Sequence, residues 1–335
     1  MWVILATQWK IIITFHHEAD LSHHTVKSQG KVIKSTRGHY LVRCADLTLK
    51  CAMRGKIAAL PQEDPTTIKV GDDVVVEVIS GTEGVIQKIL PRRSKLSRSV
   101  EGKAYREHII ATNIDQMVII MSVIQPSFKW GLLDRYLVIS EKNKLSSVIC
   151  LNKIDLAEAK DFQEVINTYK KLNYDIYFTS AENGLGIQDL VFSLRDKVSV
   201  LVGHSGVGKS SLLQKIEPSV SVKIAEISDK TRKGKHTTSF VELFPLSIGG
   251  YIIDTPGIRE LGLWDVFRSD LKHFFIEFQF YKNNCQYNDC LHLNEPDCAV
   301  KKAVESGKIN RDRYKNYQNI YADLRAAPYE LIRRR

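Results

Sequence analysis

Hydrophobic and polar residues alternate with a period of two along the first third of the chain. The alternating runs lie at 30–35, 39–44, 47–51, 70–79 and 83–90, with turn-forming residues between them. Five short strands at this spacing predict a small β-barrel of about sixty residues. An oligonucleotide-binding (OB) barrel is one candidate, and a β-module with no nucleic-acid ligand is the alternative.

From about residue 114 the pattern changes to apolar runs that alternate with helical periodicity. The apolar runs predict strands at 114–123, 147–151, 175–180, 198–203, 240–246 and 250–257. The helical periodicity predicts helices at 132–144, 159–172 and 209–216. Strands that alternate with helices in this way are typical of an α/β sheet with parallel strands.

A length of 335 residues predicts two or three domains, and a composition that is 44% hydrophobic and 26% charged is typical of a folded protein. The apolar start at 1–15 is interrupted by Lys10 and has no clear cleavage site, so we expect a docked arm or an extension outside the core fold. The six cysteines form no disulfide framework. We therefore expect a cytoplasmic protein without a membrane partner.

The net charge of +10 is unevenly distributed. Residues 301–335 hold ten basic and four acidic side chains, and residues 91–98 hold four basic side chains and no acid. A solvated surface is the simplest explanation for such a surplus. Its concentration in two segments favours a nucleic-acid partner, whose phosphates release counterions when lysines and arginines neutralise them.

The stretch GHSGVGKS at 203–210 fits the phosphate-binding pattern G-x-x-x-x-G-K-S, between a predicted strand and a predicted helix. Its glycines allow backbone N–H groups to face phosphate oxygens, and the helix N-terminus adds partial positive charge. We expect Lys209 to reach the β and γ phosphates as a catalytic residue, and Ser210 to ligate Mg²⁺. The predicted contacts are Gly203, His204, Ser205, Gly206, Val207, Gly208, Lys209, Ser210 and Ser211.

A guanine-reading pattern, Asn152-Lys153-Ile154-Asp155, follows the strand predicted at 147–151. The carboxylate of Asp155 accepts hydrogen bonds from guanine N1–H and the 2-amino group, and adenine offers neither donor there. We expect Asn152 to hold the N7 or O6 edge of the purine and Lys153 to lie along its ring. After the next strand, Ser180 and Ala181 place a backbone N–H for guanine O6.

Two further segments fit the magnesium site and switch regions of a GTPase. Asp254-Thr255-Pro256-Gly257 closes a predicted strand, so Asp254 is expected to hold a water on Mg²⁺ and the Gly257 N–H to meet the γ-phosphate. The polar loop at 229–240 offers Thr237 or Thr238 as a second Mg²⁺ ligand, and we prefer Thr238.

Many GTPases place a glutamine directly after the D-x-x-G glycine to orient the attacking water, and this chain has Ile258 there. An apolar side chain cannot orient water, so we expect slow intrinsic hydrolysis that a partner or another side chain assists. His236, beside the switch threonines, is the candidate catalytic residue. A histidine in a loop without a catalytic role is the alternative.

The order of these motifs is unusual, because the guanine reader precedes the phosphate loop. Chance does not readily place five GTPase motifs in suitable contexts. The sequence therefore predicts a circular permutation, in which the strands and loops keep their places while the chain ends move.

Cys285, Cys290, His292 and Cys298 form the pattern C-x₄-C-x-H-x₅-C. Three thiolates and one imidazole make a closed tetrahedral set for one structural Zn²⁺. Iron is an alternative metal, and four such side chains clustered by chance, with no metal, are the simplest alternative. The flanking segment is short and polar, so a bound metal would supply much of its folding energy.

Taken together, NKID, GHSGVGKSS, KHTTS, DTPG and the cysteine cluster resemble the bacterial ribosome small-subunit-dependent GTPases over residues 28–335. The resemblance implies an OB barrel, a permuted GTPase centre and a zinc domain. It also implies a role in late maturation of the small ribosomal subunit, with hydrolysis stimulated by that subunit, and a catalytic role for His236. The arm at 1–15 is not part of the family pattern.

We therefore expect a multidomain protein with an N-terminal arm (1–27), an OB-type β-barrel (28–95), a circularly permuted α/β P-loop GTPase domain (96–268) and a mostly helical zinc-binding domain with a basic tail (269–335). The expected function is hydrolysis of GTP to GDP by a monomer that binds ribosomal RNA in its GTP form and leaves after hydrolysis. The alternatives are a permuted GTPase of the large subunit or another RNA, and a non-enzymatic RNA-binding protein regulated by GTP.

Overall fold

The computed structural model describes residues 26–36, 39–53, 68–99, 107–222, 241–254, 263 and 266–324. Most of the N-terminal arm and the last eleven residues of the basic tail lie outside these ranges. Within them, no helix is long and apolar enough to cross a membrane.

The N-terminal strands close into a five-stranded barrel, as predicted. They are β1 (Val26–Thr36), β2 (His39–Cys44), β3 (Leu47–Met53), β4 (Asp73–Val78) and β5 (Glu83–Ile89). The barrel closes because β1 pairs with both β2 and β4, and β5 pairs with both β3 and β4. Alternate residues face inward, and Val32, Val42, Leu49, Val76 and Ile86 are fully buried there.

A two-stranded hairpin that the sequence did not predict follows the barrel. Its strands are β6 (Lys95–Ser99) and β7 (Glu107–Thr112), and they pair only with each other among the described residues. Asp72, which directly precedes β4 of the barrel, is bonded to both ends of this hairpin. Its buried carboxylate accepts hydrogen bonds from Arg92, just before β6 (2.7 and 3.0 Å), and from the hydroxyl of Thr112, the last residue of β7 (2.7 Å).

The next six strands form the GTPase sheet. They are β8 (Gln116–Ser122), β9 (Ser146–Asn152), β10 (Asp175–Thr179), β11 (Val198–Val202), β12 (Glu242–Pro245) and β13 (Tyr251–Asp254), and their order is β10-β9-β8-β11-β13-β12. Five are parallel, but β12 runs antiparallel to β13. The prediction of parallel strands was wrong for β12, because the turn at 246–250 is too short for a parallel crossover.

The two faces of this sheet are covered by α1 (Trp130–Lys142), α2 (Gln163–Lys170), α3 (Ile187–Leu194) and α4 (Lys209–Ile216). Side chains of α1 and α2 pack with Ile119, Ile149 and Val200 on one face. Side chains of α3 and α4 pack with Val118 and Val148 on the other. Because both faces are covered, β8 is buried along its whole length.

The strand order confirms the circular permutation. Strand β11, which leads into the predicted phosphate loop, lies at the centre of the sheet between β8 and β13, although three strands of the sheet precede it in the chain. The barrel joins this sheet at its edge, where Lys34 of β1 pairs with Glu242 of β12 in the backbone register and through a 2.5 Å ion pair.

The remaining described residues, 266–324, are called the C-terminal region below. They form α5 (Arg268–Phe274), α6 (Ala299–Glu305) and α7 (Arg311–Asp323), with 3₁₀ turns at Ile276–Phe280 and Lys282–Asn284. The core of this region includes Leu271, Phe275, Phe278 and Tyr317, and Val138 of α1 packs into it. The helical character predicted for this region is confirmed.

Candidate nucleotide site and metal cluster

The predicted phosphate loop lies between β11 and α4, and its glycines have the positive φ angles that such a turn requires. Gly203 has φ +152° and Gly208 has φ +96°. A Cβ at Gly203 would lie 2.3 Å from the Ile120 carbonyl oxygen, and one at Gly208 would lie 2.3 Å from the Asn152 amide nitrogen. Glycine is therefore needed at both positions for close approach as well as for backbone angle.

Lys209 is the first residue of α4, and its ammonium lies across the loop. Its Nζ donates to the carbonyl oxygens of Gly203 (2.6 Å) and His204 (2.8 Å). Ser210 and Ser211 follow in the first turn, and both are exposed. His204, Ser205 and Gly206 are also exposed, whereas Val207 is buried beneath the loop.

The predicted guanine reader lies at the end of β9. Asn152 is fully buried, Lys153 has left-handed backbone angles (φ 64°), and Ile154 and Asp155 begin a 3₁₀ turn. The Asp155 side chain is exposed, and the Lys153 ammonium donates to the Gln125 carbonyl oxygen at 2.5 Å. The carboxylate is therefore at the surface, where a base can reach it.

The side chain of Asn152 joins three loops that the sequence keeps apart. Its Nδ2 donates to the Val207 carbonyl oxygen (2.8 Å), and its Oδ1 accepts from the Ala181 N–H (3.3 Å) and the Thr179 hydroxyl (3.2 Å). Among the described residues the other amide N–H has no acceptor, so it is available to a purine. The structure therefore gives Asn152 a role between loops in addition to the predicted one at the base edge.

Thr179 was not among the predicted site residues. It is buried at the end of β10, and its hydroxyl lies 3.2 Å from the Cys150 thiol and donates to Asn152. A threonine directly before the Ser180-Ala181 pair was the only sequence signal. Ser180 is buried behind it, and its hydroxyl accepts from the Asn183 N–H at 3.3 Å.

These loops meet because β9, β10 and β11 are parallel and end at the same edge of the sheet. The predicted guanine reader and the predicted phosphate loop are about fifty residues apart in sequence and in direct hydrogen-bonded contact. The carboxyl edge of an α/β sheet is where such folds bind ligands.

Several predicted residues lie outside the described ranges. His236 and Thr238 fall within 223–240, and Gly257 falls within 255–262. Asp254 is the last residue of β13, which runs beside β11, so its backbone lies at the same edge as Ser210. Ser210 carries a hydroxyl and Asp254 a carboxylate, and oxygen donors of this kind are the ligands that Mg²⁺ prefers.

The predicted metal ligands are brought together in the C-terminal region. The ligand atoms of Cys285, Cys290, His292 and Cys298 all lie within 4.8 Å of one another. Cys285 Sγ lies 3.9 Å from Cys298 Sγ, and His292 Nδ1 lies 3.6 and 3.4 Å from these two sulfurs. Bonds of about 2.3 Å to sulfur and about 2.0 Å to nitrogen imply tetrahedron edges of roughly 3.8 and 3.5 Å. The geometry therefore fits a metal ion.

The surroundings of the cluster favour metal binding. Burial lowers the pKa of His292 to about 4, so its ring is neutral at physiological pH and can offer a lone pair to a metal. The Glu295 carboxylate accepts from the backbone N–H groups of Leu291 (2.6 Å) and Leu293 (2.8 Å), which fixes the turn that carries His292. Tyr314 donates to the His292 carbonyl oxygen at 2.7 Å.

Comparison with known proteins gives a consistent picture. The family model for the RsgA GTPase matches residues 89–264, and that for the RsgA N-terminal domain matches residues 29–86. A small ribosomal subunit biogenesis GTPase RsgA from Caldanaerobacter subterraneus is 37% identical over 89% of this chain and 96% of its own length.

Two solved structures resemble the whole described fold. The crystal structure of YjeQ from Thermotoga maritima has a TM-score of 0.73 at 33% identity, and covers 89% of this chain and 99% of its own. The crystal structure of YloQ, a circularly permuted GTPase, has a TM-score of 0.71 at 32% identity, and covers 91% and 98%. The chain therefore belongs to the RsgA GTPase family, whose members hydrolyse GTP with a circularly permuted GTPase domain.

Proposed function

We propose that this chain hydrolyses GTP during late maturation of the small ribosomal subunit. It binds ribosomal RNA in its GTP form and leaves after the subunit has stimulated hydrolysis. The observation that carries the proposal is the contact of Asn152 with Val207, which sets a guanine reader against a phosphate loop. The name of the relative from Caldanaerobacter subterraneus, a small ribosomal subunit biogenesis GTPase, supports the assignment of the partner.

Within this proposal, Asp155 selects guanine and the ammonium of Lys209 neutralises charge on the β and γ phosphates as the bond to the γ-phosphate breaks. The proposed Mg²⁺ ligands are Ser210, Thr238 and the water held by Asp254, and the ion would neutralise phosphate charge when bound. His236 orients the attacking water, since Ile258 cannot.

Docking on RNA is proposed for the barrel and for the C-terminal region, whose Cys285, Cys290, His292 and Cys298 would hold one structural Zn²⁺. The surplus of basic residues at 301–335 supports this assignment. We further propose domain boundaries near residues 28, 96 and 269, and a monomer that acts in the cytoplasm without a membrane partner.

The direct test is the rate of GTP hydrolysis with isolated small subunits, with large subunits and with no RNA. Small subunits should raise the rate of the wild-type chain by a factor of at least about 10³, the lower range for partner-assisted GTPases. The Lys209→Ala variant is the control and should stay slow in all three. Equal acceleration by large subunits would favour another ribosomal partner, and no acceleration by small subunits would contradict the proposal.

A further inference from the structure

A buried charged cluster joins the C-terminal region to the GTPase domain. Its centre is Arg313 of α7, which is 2% exposed. The Arg313 guanidinium makes a two-pronged ion pair with Glu277, at 2.6 Å from Nε and 2.9 Å from Nη2, and donates to Asp134 of α1 at 2.6 Å.

One partner of Arg313, Asp134, makes further hydrogen bonds. Asp134 also accepts from the Tyr169 hydroxyl and the Asn316 amide, each at 2.7 Å. The guanidinium lies between the rings of Tyr169 and Phe275, 5.2 and 5.1 Å from their centres. A buried ion pair often gives little net stability compared with apolar residues of similar volume, and in some proteins it specifies one geometry instead.

The cluster holds the N-terminal half of α1. Asp134 lies in the second turn of this helix, and in the first turn a Cβ at Gly131 would lie 3.4 Å from the Asn316 side chain of α7. Trp130, the first residue of α1, stacks on Tyr169 at 5.8 Å, and Phe128 packs edge-on against Trp130 at 5.4 Å. These contacts extend from Arg313 to the segment between β8 and α1, residues 123–129, called the β8–α1 loop below.

The β8–α1 loop borders the candidate nucleotide site. The Gln125 carbonyl oxygen accepts from the Lys153 ammonium of the guanine reader at 2.5 Å. The Val123 N–H donates to the Asn152 carbonyl oxygen at 3.3 Å. Pro126 is the nearest neighbour of Gly206 in the phosphate loop, 3.6 Å from a Cβ built there. The loop therefore contacts the predicted guanine reader and borders the predicted phosphate loop.

We propose that Arg313 is a positioning residue for nucleotide binding. By holding the N-terminal half of α1 against the C-terminal region, it fixes the β8–α1 loop and, through it, the Lys153 ammonium. Nucleotide affinity then depends on how the C-terminal region is seated, and bound nucleotide in turn stabilises that seating, because coupling between two sites is reciprocal. The proposal rests on the nucleotide site assigned above and goes beyond it.

Three variants test this inference in the full-length chain. The triple variant Asp134→Asn, Glu277→Gln and Arg313→Met removes every charge of the cluster with little change of shape. Arg313→Lys keeps the charge but loses the two-pronged geometry, and serves if the triple variant does not fold. Arg135→Gln is the matched control, since Arg135 makes an exposed ion pair with Asp323 between the same two helices.

Two quantities are measured, the Kd for GDP and the amide hydrogen exchange of residues 311–323 with and without GDP. The triple variant should bind GDP about fivefold more weakly, at the low end of ordinary coupling between sites, and Arg313→Lys should show a smaller loss. GDP should slow exchange in α7 of the wild type and of Arg135→Gln, but not in the triple variant. A residue that only stabilised the fold would leave this nucleotide-dependent difference in place.

The inference is overturned if the folded triple variant, or Arg313→Lys in its place, matches the wild type in GDP affinity and in nucleotide-dependent exchange. It is also overturned if Arg135→Gln causes an equal loss, because the effect would then belong to the interface as a whole. Absence of GDP binding by the wild-type chain would instead contradict the nucleotide site on which the inference rests.

Discussion

At the residue scale, the side chain of Asn152 holds the candidate site together. Its three hydrogen bonds connect the ends of β9 and β10 to the phosphate loop; those with Val207 and Thr179 are buried, and the one with Ala181 is part-buried. A typical hydrogen bond adds only about 1 kcal/mol to stability, but a buried group left without its partner costs about 1–3 kcal/mol. The site therefore depends on every partner of Asn152 being present.

The substitution Thr179→Val should weaken nucleotide binding, although Thr179 is not expected to contact the nucleotide itself. Valine keeps the shape but removes the hydroxyl that donates to Asn152 Oδ1. We expect GDP affinity to fall about tenfold, or about 1.4 kcal/mol, in a fluorescence titration. Thr48→Val is the control, because the hydrogen bond that its hydroxyl accepts from Arg43 in the barrel is exposed. An unchanged Kd for Thr179→Val would show that Asn152 does not depend on this contact.

The partners of charged side chains could not be predicted from the sequence. The basic run at 91–98 favours nucleic acid by its composition, yet Arg92 is paired with buried Asp72 and Arg93 with Asp115. In the same way, Arg313 counted toward the basic surplus of 301–335 but is buried against Asp134 and Glu277. These partners are 20 to 179 residues away in sequence and come together only in the fold.

At the scale of elements, periodicity predicts the existence and type of most helices and strands, because burial of one face repeats along each of them. Strand β2 and helix α4 have the predicted bounds. The helix predicted over 159–172 begins instead as a 3₁₀ turn, Ala159–Phe162, and continues as α2. The β6–β7 hairpin was missed because it is short and belongs to neither sheet.

Gly186→Ala should damage the loop that follows β10 much more than Gly184→Ala. Both glycines have positive φ, so either substitution costs about 1–2 kcal/mol in backbone strain. At Gly186 the new Cβ would also lie 1.8 Å from the Phe178 carbonyl oxygen, whereas at Gly184 it meets nothing within 4 Å. Urea denaturation should therefore show a loss of unfolding free energy that is larger for Gly186→Ala by at least about 2 kcal/mol. Equal losses of unfolding free energy in the two variants would contradict the close approach of a Cβ at Gly186 to the Phe178 carbonyl oxygen.

At the scale of the whole molecule, the GTPase domain contacts both the barrel and the C-terminal region. The barrel is attached through Lys34–Glu242 and the C-terminal region through Arg313. The permutation makes the D-T-P-G motif precede the C-terminal region directly in the chain. Leu263 and Val266, between them, pack with the core that Val138 of α1 shares with the C-terminal region. A structural change at the D-T-P-G motif can therefore be transmitted to the C-terminal region through a short stretch of chain.

Removal of the metal should unfold the C-terminal region before the rest of the protein. We expect a chelator to speed hydrogen exchange across 266–324 and to leave the barrel protected, because metal binding supplies folding energy to such a segment. The wild type should hold about one Zn²⁺ per chain by elemental analysis, and Cys290→Ser should hold much less. Cys150→Ser is the control, since Cys150 lies outside the metal cluster, beside Thr179 at the candidate nucleotide site. Full metal content in Cys290→Ser would contradict the assigned ligand set.

The central claim is that the guanine reader and the phosphate loop, in permuted order, bind one and the same nucleotide. The most direct test exchanges the base preference with Asp155→Asn, because an asparagine amide can donate to the 2-carbonyl of xanthine but cannot accept both guanine donors. Calorimetry should show that Asp155→Asn binds xanthosine diphosphate and not GDP, and that adding Lys209→Ala to the same chain abolishes this binding. Unchanged GDP binding by Asp155→Asn, or xanthosine diphosphate binding that survives the loss of Lys209, would contradict the account.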